Sequence, residues 1–409
     1  MKQIKADADA IIKAAISAVM PDEAVKRALK GMPRPAGKLV LVATGKAAWQ
    51  MAKAAVDSIQ IDSGIVITKY DHVKGIIPGI ECYEAGHPVP DQNSFDATKK
   101  ALSMVEGLTS NDCVLFLLSG GGSALFESPL IPGKELAYIT EQLLASGADI
   151  VEMNTVRKRL SAVKGGRFAM ACNPAKVYSI VLSDILGDPL DMIASGPAYP
   201  DSSTCEQAWA VVEKYGIKLS EKAAGLLRKE TPKQLDNVTT QITGSVRELC
   251  SAAEVKCRAL GYETVFLTDQ MCCEASDAGS FLGSIAKTHA GKGRKLAFIA
   301  GGETVVHIKG KGLGGRNQEI ALAAAPAIAN LKAAVFSVGS DGTDGPTDAA
   351  GGYADGETQR LLEKQGLDVS KILADNDAFH ALEAVGGLII TGPTGTNVND
   401  VSVVLISGN

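Results

Sequence analysis

The chain has 409 residues, 46% hydrophobic and 21% charged, a mixture that supports a large core and excludes disorder over most of the length. At ~150 residues per domain the length corresponds to two or three domains. A balance of 41 basic and 46 acidic residues, net −5, gives no electrostatic footprint for nucleic acid or an anionic membrane.

In chain order, residues 6–30 read as helices punctuated by Pro21, and the first twenty residues are too acidic, with too short an apolar run, for a signal peptide. Lys38 to Ala43 (KLVLVA) reads as a buried strand, 47–59 as a helix and 64–68 as the next strand. Residues 86–93 (GHPVPDQN) form a loop, after which Ser94 caps a helix ending near Gly107. Val114 to Leu118 is an all-apolar strand followed by Ser119-Gly-Gly-Gly-Ser123. Helices are expected over 134–146 and 150–162, a strand over 177–182 ending at Ser183-Asp184, and a polar helical stretch over 204–230. Residues 231–244 (TPKQLDNVTTQITG) have the weakest regular pattern and are the candidate linker. Beyond them come a helix (245–260), a strand (263–267), a helix (274–290), strands at 296–300 and 304–308, the glycine-rich 310–315, a helix (316–329) and strands at 334–338, 387–391 and 401–406. Short apolar strands alternating with helices of 12–15 residues indicate an α/β fold with largely parallel sheets.

In such sheets ligands bind beyond the carboxyl ends of the strands. Six polar, glycine-rich clusters follow strands here: Thr44-Gly-Lys46, Ser119 to Ser123, Ser183 to Asp191, Gly301-Gly-Glu303, Ser340 to Asp348 and Thr391 to Asn397. Turns need Gly, Ser and Asp in any case, but six clusters at equivalent positions suit the lining of one cleft. The backbone amides of Ser119, Gly120, Gly121, Gly122 and Ser123, between a strand and a helix start, suit a phosphate or carboxylate. The run is neither a Walker A loop nor a GxSxG elbow.

Gly310-Lys-Gly-Leu-Gly-Gly315 satisfies GxGxxG, but the position about 20 residues on, Val335, is not acidic. Arg316 and Lys46 are cations at expected helix starts, where the dipole opposes them; a bound anion or a salt bridge would account for either. Asn154, Arg157 and Lys158 share a helical face by spacing, as an anion site or a solvated surface. Asp184, Asp188, Asp191, Asp341, Asp344 and Asp348 fall in loops after strands and offer Mg²⁺ ligands or a base; spacing does not say which does which. Eight irregularly spaced cysteines without CxxC and five scattered histidines without HExxH argue against a disulfide scaffold or a zinc site. No run of 18 apolar residues occurs, so the cytoplasm is the expected compartment.

These motifs together resemble the MOFRL-type glycerate kinases, the glycerate 2-kinase family. The resemblance rests on Ala43-Thr-Gly-Lys46, Leu118-Ser-Gly-Gly-Gly-Ser-Ala124, Asn154-Thr-Val-Arg-Lys158 with Lys164-Gly-Gly166, Leu182-Ser-Asp184 through Ile193-Ala-Ser-Gly-Pro197, Gly301-Gly-Glu303, Gly314-Gly-Arg-Asn-Gln-Glu319, Ser340 to Pro346 and Thr391 to Asn397, in order over nearly the whole chain. It implies two α/β domains flanking a cleft, a Rossmann-like one over 1–236 and a MOFRL-type one over 237–409. It implies ATP- and Mg²⁺-dependent phosphorylation of D-glycerate to 2-phosphoglycerate by a monomer or homodimer that engages small molecules rather than nucleic acid or membrane. Lys46, Arg316 and Asp184 are then the expected catalytic residues. Residues 119–123 with Gly314, Gly315, Asn317 and Glu319 are expected at the phosphates, Asn154, Arg157 and Lys158 at the substrate, and Asp188 and Asp341 at the metal. The rival expectation is an NAD(P)H-dependent hydroxypyruvate reductase, which needs an acid at the ribose that GxGxxG here lacks.

Overall fold

The computed structural model describes residues 1–183, 187 and 190–408. It divides into two compact units, one running from Ala24 through Ser183 and on to Thr243, the other made of Met1–Glu23 and the chain from Gly244 onward. The sequence places the division near 236/237 and the first residues with the N-terminal half; in the structure residues 1–23 group instead with the C-terminal chain.

In the first unit a six-stranded sheet contains β1 (Leu39–Thr44), β2 (Ser63–Lys69), β3 (Ile80–Ala85), β4 (Cys113–Leu118), β5 (Lys176–Leu182) and β6 (Val238–Gly244) in the order β3-β2-β1-β4-β5-β6. The pairings β2–β3, β1–β2, β1–β4 and β4–β5 are parallel. Strands β1 and β4 are buried at every position, which is why they read as unbroken apolar runs rather than alternating ones. Their two faces separate by parity. Leu39, Leu41 and Ala43 pack with Ala48, Met51 and Ala52 of helix Ala48–Ser58, and Val42, Val114 and Phe116 with Ala97, Ala101 and Val105 of helix Gln92–Val105. The strand order reverses between β1 and β4, the point at which doubly wound sheets open a crevice.

Two expectations change in this unit, and one strand was not expected. The helix expected from Ser94 starts at Gln92. Asp91 is its cap, accepting from Ser94 N at 3.0 Å while Ser94 Oγ accepts from Asp91 N at 3.2 Å, a reciprocal capping box. The expected linker contains β6, an edge strand whose half-exposed TTQITG reads as polar. Strand β3 is also half exposed, and its mixed sequence IECYEA gave no apolar signal.

The second unit contains β7 (Glu263–Met271), β8 (Leu296–Gly302), β9 (Ala333–Gly339), β10 (Gly351–Asp355), β11 (Leu388–Ile389) and β12 (Asp400–Ile406), ordered β11-β10-β9-β12-β8-β7. Only β7–β8 is parallel; β12 runs antiparallel to both β8 and β9, and β10 antiparallel to β9 and β11. This sheet is therefore mixed, not largely parallel, because the last strand of the chain inserts at its centre in the reverse sense. The expected strand at 304–308 makes one isolated bridge, Glu274 to Val305. Helix Lys2–Ala18 lays Ile4, Ala8, Ile11, Ile12, Ala15 and Ile16 into the same core as Leu249, Cys250, Ala253 and Cys257 of helix Val246–Ala259. Tyr262 OH donates to buried Asp7 at 2.8 Å.

Candidate active site

At the carboxyl ends of β1 and β4 the chain makes two interlocked turns. Gly45 has φ +118°, and a Cβ there would stand 2.2 Å from Ser119 Oγ, so only glycine fits. Lys46 N donates to Gly120 O at 2.8 Å, Ser119 N to Thr44 O at 3.0 Å and Ala47 N to Ser119 Oγ at 3.1 Å. Ser119 thus locks the two turns together. The amides of Gly120, Gly121, Gly122 and Ser123 have no acceptor among the described residues. Four successive unpaired N–H groups beside a cation form an anion cradle. The cation is Lys46, exposed and in no ion pair among the described residues; its Cγ lies 3.3 Å from where a Cβ on Gly121 would stand. His87, from the loop after β3, also approaches Gly121, its ring 3.0 Å from that same point. Sequence reading left His87 in an unassigned loop.

The expected substrate residues are buried. Asn154, Arg157 and Lys158 are 3%, 9% and 1% exposed, because acids remote in sequence balance the basic segment from within the fold. Lys158 pairs with Asp201 at 2.9 Å and Asp191 at 3.5 Å. Asn154 Oδ1 accepts from Ser195 Oγ at 3.0 Å, and Ser195 Oγ lies 3.1 Å from Ser123 Oγ. Arg157 Nη2 and Lys164 Nζ both donate to the carbonyl of Ser123, at 3.3 and 2.7 Å. Lys164 is fully buried beside Glu127 at 3.2 Å, and burial lowers its pKa to about 8. The helical face expected to meet substrate is therefore tied to the glycine-rich loop through Ser123.

In the second unit Gly302, Gly339 and Asp400 pair across β8, β9 and β12, which brings the loops after β8 and β9 to the start of β12. Helix Arg316–Ile328 opens there. Arg316 Nε and Nη2 donate to the two oxygens of Asp400 at 2.6 and 3.1 Å, and Nη1 to Glu303 at 3.1 Å. Three of the five guanidinium donors are engaged, leaving one N–H on each terminal nitrogen. Asp400, missed in the sequence because it falls between the last polar cluster and the expected strand 401–406, is 3% exposed, and burial pushes its carboxyl up to about 6 against the pull of Arg316.

The glycines near Arg316 serve close packing. Asp344 accepts from Asn317 N at 3.2 Å and Gln318 N at 2.9 Å, and a Cβ on Gly315 would stand 2.3 Å from its carboxyl carbon. Asp344 thus fills the helix N-terminus where Gly314, Gly315 and Asn317 were expected to meet phosphate. Asn317 and Glu319 are buried; Asn317 accepts from Ser337 Oγ, and Glu319 from Asn376 Nδ2 at 2.9 Å. The GxGxxG loop is occupied likewise. Gly310 N donates to Asn376 Oδ1, Lys311 N to Asp375 Oδ1, Gly312 N to Asp375 O and Leu313 N to Asp377 Oδ1, all within 3.0 Å. Asp341 Oδ1 accepts from Thr343 N at 3.0 Å, and its other oxygen has no partner among the described residues. The Ser340–Asp344 and Thr391–Thr396 turns meet through Thr394 N, which donates to Asp341 O at 3.1 Å. Asp184 and Asp188 lie outside the described residues. A cavity of about 610 Å³ is lined by Leu29, Pro33, Arg34, Leu39 and Asp62 at the opposite ends of the strands.

Residues 7–228 match the family model described as a domain of unknown function, DUF4147, and residues 296–400 match the MOFRL family. A D-glycerate 2-kinase of Thermotoga maritima is 52% identical, the alignment covering 97% of each chain. A glycerate 2-kinase of Pyrococcus horikoshii is 42% identical over 91% of this chain and 88% of that one. An Agrobacterium vitis protein provisionally named hydroxypyruvate reductase is 39% identical over 97% and 93%. A crystal structure of glycerate kinase from Thermotoga maritima superposes with a TM-score of 0.95 at 51% identity, covering 99% of this chain and all of that one. The chain belongs to the glycerate kinase family that joins a DUF4147 segment to a MOFRL segment.

Proposed function

We propose that the chain is a glycerate 2-kinase, transferring a phosphoryl group from ATP to the 2-hydroxyl of D-glycerate. The observation that supports this best is the cradle of four unpaired amides, 120–123, beside the exposed Lys46 at the strand-order reversal. Phosphoryl transfer needs positioning and charge stabilisation rather than covalent chemistry, and amides plus an unpaired ammonium supply both. The same activity stands in the names of the two glycerate 2-kinases above. The reductase reading has no comparable support, because Asp375, Asn376 and Asp377 occupy the amides of the one GxGxxG loop.

In this reading residues 120–123 hold phosphate, and Lys46 neutralises charge on the transferring group. Arg316 is the second cation, through its two remaining N–H groups. Mg²⁺ prefers hard oxygen donors; the uncommitted oxygen of Asp341 fits one, with Asp184 and Asp188 as further carboxylates. When bound, the ion neutralises phosphate charge. No described helix is long and apolar enough to cross a membrane. In this reading the enzyme acts in the cytoplasm on small molecules, as a monomer or homodimer.

The test couples the reaction to enolase without a phosphoglycerate mutase. Product formation from ATP, Mg²⁺ and D-glycerate supports transfer to the 2-position. A strict requirement for the mutase would move the site of transfer to the 3-hydroxyl. NADH oxidation with hydroxypyruvate in place of kinase turnover would replace the reading altogether.

A further inference from the structure

We propose that His87 is the general base that accepts the proton of the acceptor's 2-hydroxyl, an assignment that rests on the kinase reading above. His87 follows β3, so it belongs to the same end of the parallel sheet as Lys46 and the 119–123 loop. Its ring lies against Gly121 of the amide cradle, with Cδ2 and Nε2 both 3.0 Å from the place a Cβ would take. Gly121, at φ +87°, is therefore glycine for two reasons: the backbone turn, and the imidazole that occupies its side-chain space. A phosphoryl group held by amides 120–123 lies next to that ring.

The imidazole makes no hydrogen bond among the described residues, although it is half-buried, so its nitrogens are available to a ligand. Its surroundings favour the neutral, proton-accepting form. Burial lowers its pKa, and three positive or chargeable neighbours reinforce the effect: Lys46 after β1, Lys69 at the end of β2 and His72 in the turn that follows. The acids of this corner are committed elsewhere. Asp91 accepts from Ser94 N, Tyr70 OH and the amide of Gly86, and Glu84 from His72 N and Val73 N. None supplies the hydrogen-bonded carboxylate that would hold the ring as imidazolium.

The step balances without any further reagent. The hydroxyl O–H bond breaks and its proton passes to a ring nitrogen of His87. The oxygen's electron pair forms the new bond to the γ-phosphorus, and the bond from that phosphorus to the bridging oxygen breaks with its pair leaving on ADP. The imidazolium then returns its proton to water.

The experiment measures kcat and both KM values for wild type, His87→Gln and His87→Gly from about pH 5 to about pH 9, bracketing histidine titration. The expected result is a fall in kcat of roughly 10²-fold or more for His87→Gln, the scale of lost general-base catalysis, with KM for ATP little changed. The acid limb of the wild-type profile disappears in that variant, and added imidazole partly restores His87→Gly. Near-normal kcat, a fall in kcat that leaves the acid limb in place, or a limb that persists in His87→Gln and vanishes in Asp400→Asn each overturns the assignment. Wild-type protein that fails to turn over ATP and D-glycerate would instead overturn the kinase reading itself, so the two failures are distinguishable.

Discussion

Lys46 and Arg316 look alike in the sequence, each a cation at a helix start, yet their surroundings separate them. Lys46 is exposed and in no ion pair among the described residues, whereas Arg316 holds the buried Asp400 through two hydrogen bonds. Lys46→Ala should lower kcat by roughly 10²–10³, the scale of one preorganised electrostatic contact, with an unchanged melting temperature. Arg316→Ala should lose activity and stability together, since an orphaned buried acceptor costs about 1–3 kcal/mol. Steady-state kinetics beside calorimetry on both variants reads the difference, and a fully stable Arg316→Ala would show that Asp400 does not depend on it. Asp400 has its own signature. Its folded-state pKa of about 6 lies above the unfolded value, so the folded protein binds its proton more tightly between about pH 4 and about pH 6. Its contribution to stability is therefore full below that window and is lost as pH rises through it. Urea unfolding of wild type against Asp400→Asn across the window should show that slope in wild type alone. The chemical type of Lys46 and Arg316 was legible from spacing; their difference was not, because Asp400 is 84 residues from Arg316 and only β-pairing brings it there.

The segment 154–167 illustrates how a face read as an anion site becomes internal support. Basic residues at helical spacing look solvated until Glu127, Asp191 and Asp201 arrive from other parts of the chain. Lys164→Met should cost about 3–5 kcal/mol by leaving Glu127 charged and unpaired. Adding Glu127→Leu should recover most of that stability, yet kcat should stay low, because the Ser123 carbonyl has still lost its Lys164 donor. Unfolding midpoints and kcat for the single and double variants test this; recovery of both together would mean that Lys164 supports the fold only. Helix Lys2–Ala18 makes a second case. It carries seven buried residues, and its periodicity was plain in the sequence, but nothing in its own pattern says which core it joins. Since that core is the one containing Leu249, Cys250 and Phe336, a fragment beginning at Gly244 should be unstable alone. Addition of a peptide spanning residues 1–23 should restore it, read by urea midpoint; an equally stable fragment without the peptide would refute the dependence.

Across the whole molecule, the strands buried at every position were readable from their apolar runs, and so was part of the exposed edge strand β7, whereas β3, β6 and β10 were not. Apolar runs at β1, β4, β8, β9 and β12 announce themselves because every side chain is enclosed. The half-exposed β3 and β6 carry mixed sequences that turns also use, and the five-residue β10 rests on two glycines. Sheet direction was equally hidden, since the length of a connection permits β12 to enter either way. The glycine-rich loops divide on the same principle. Composition marks 119–123 and 310–315 as equally suited to phosphate, but Asp375–Asp377 occupy the second while the amides of 120–123 stay unpaired. The sequence by itself determined the α/β class, the long strands buried at every position, the helix periodicities and the residue types after each strand, because these depend on local backbone preference and burial pattern. The tertiary structure alone decided which amides remain open, which cations are neutralised and which histidine meets the loop. Those properties are contacts between residues far apart in the chain, and no local preference encodes them.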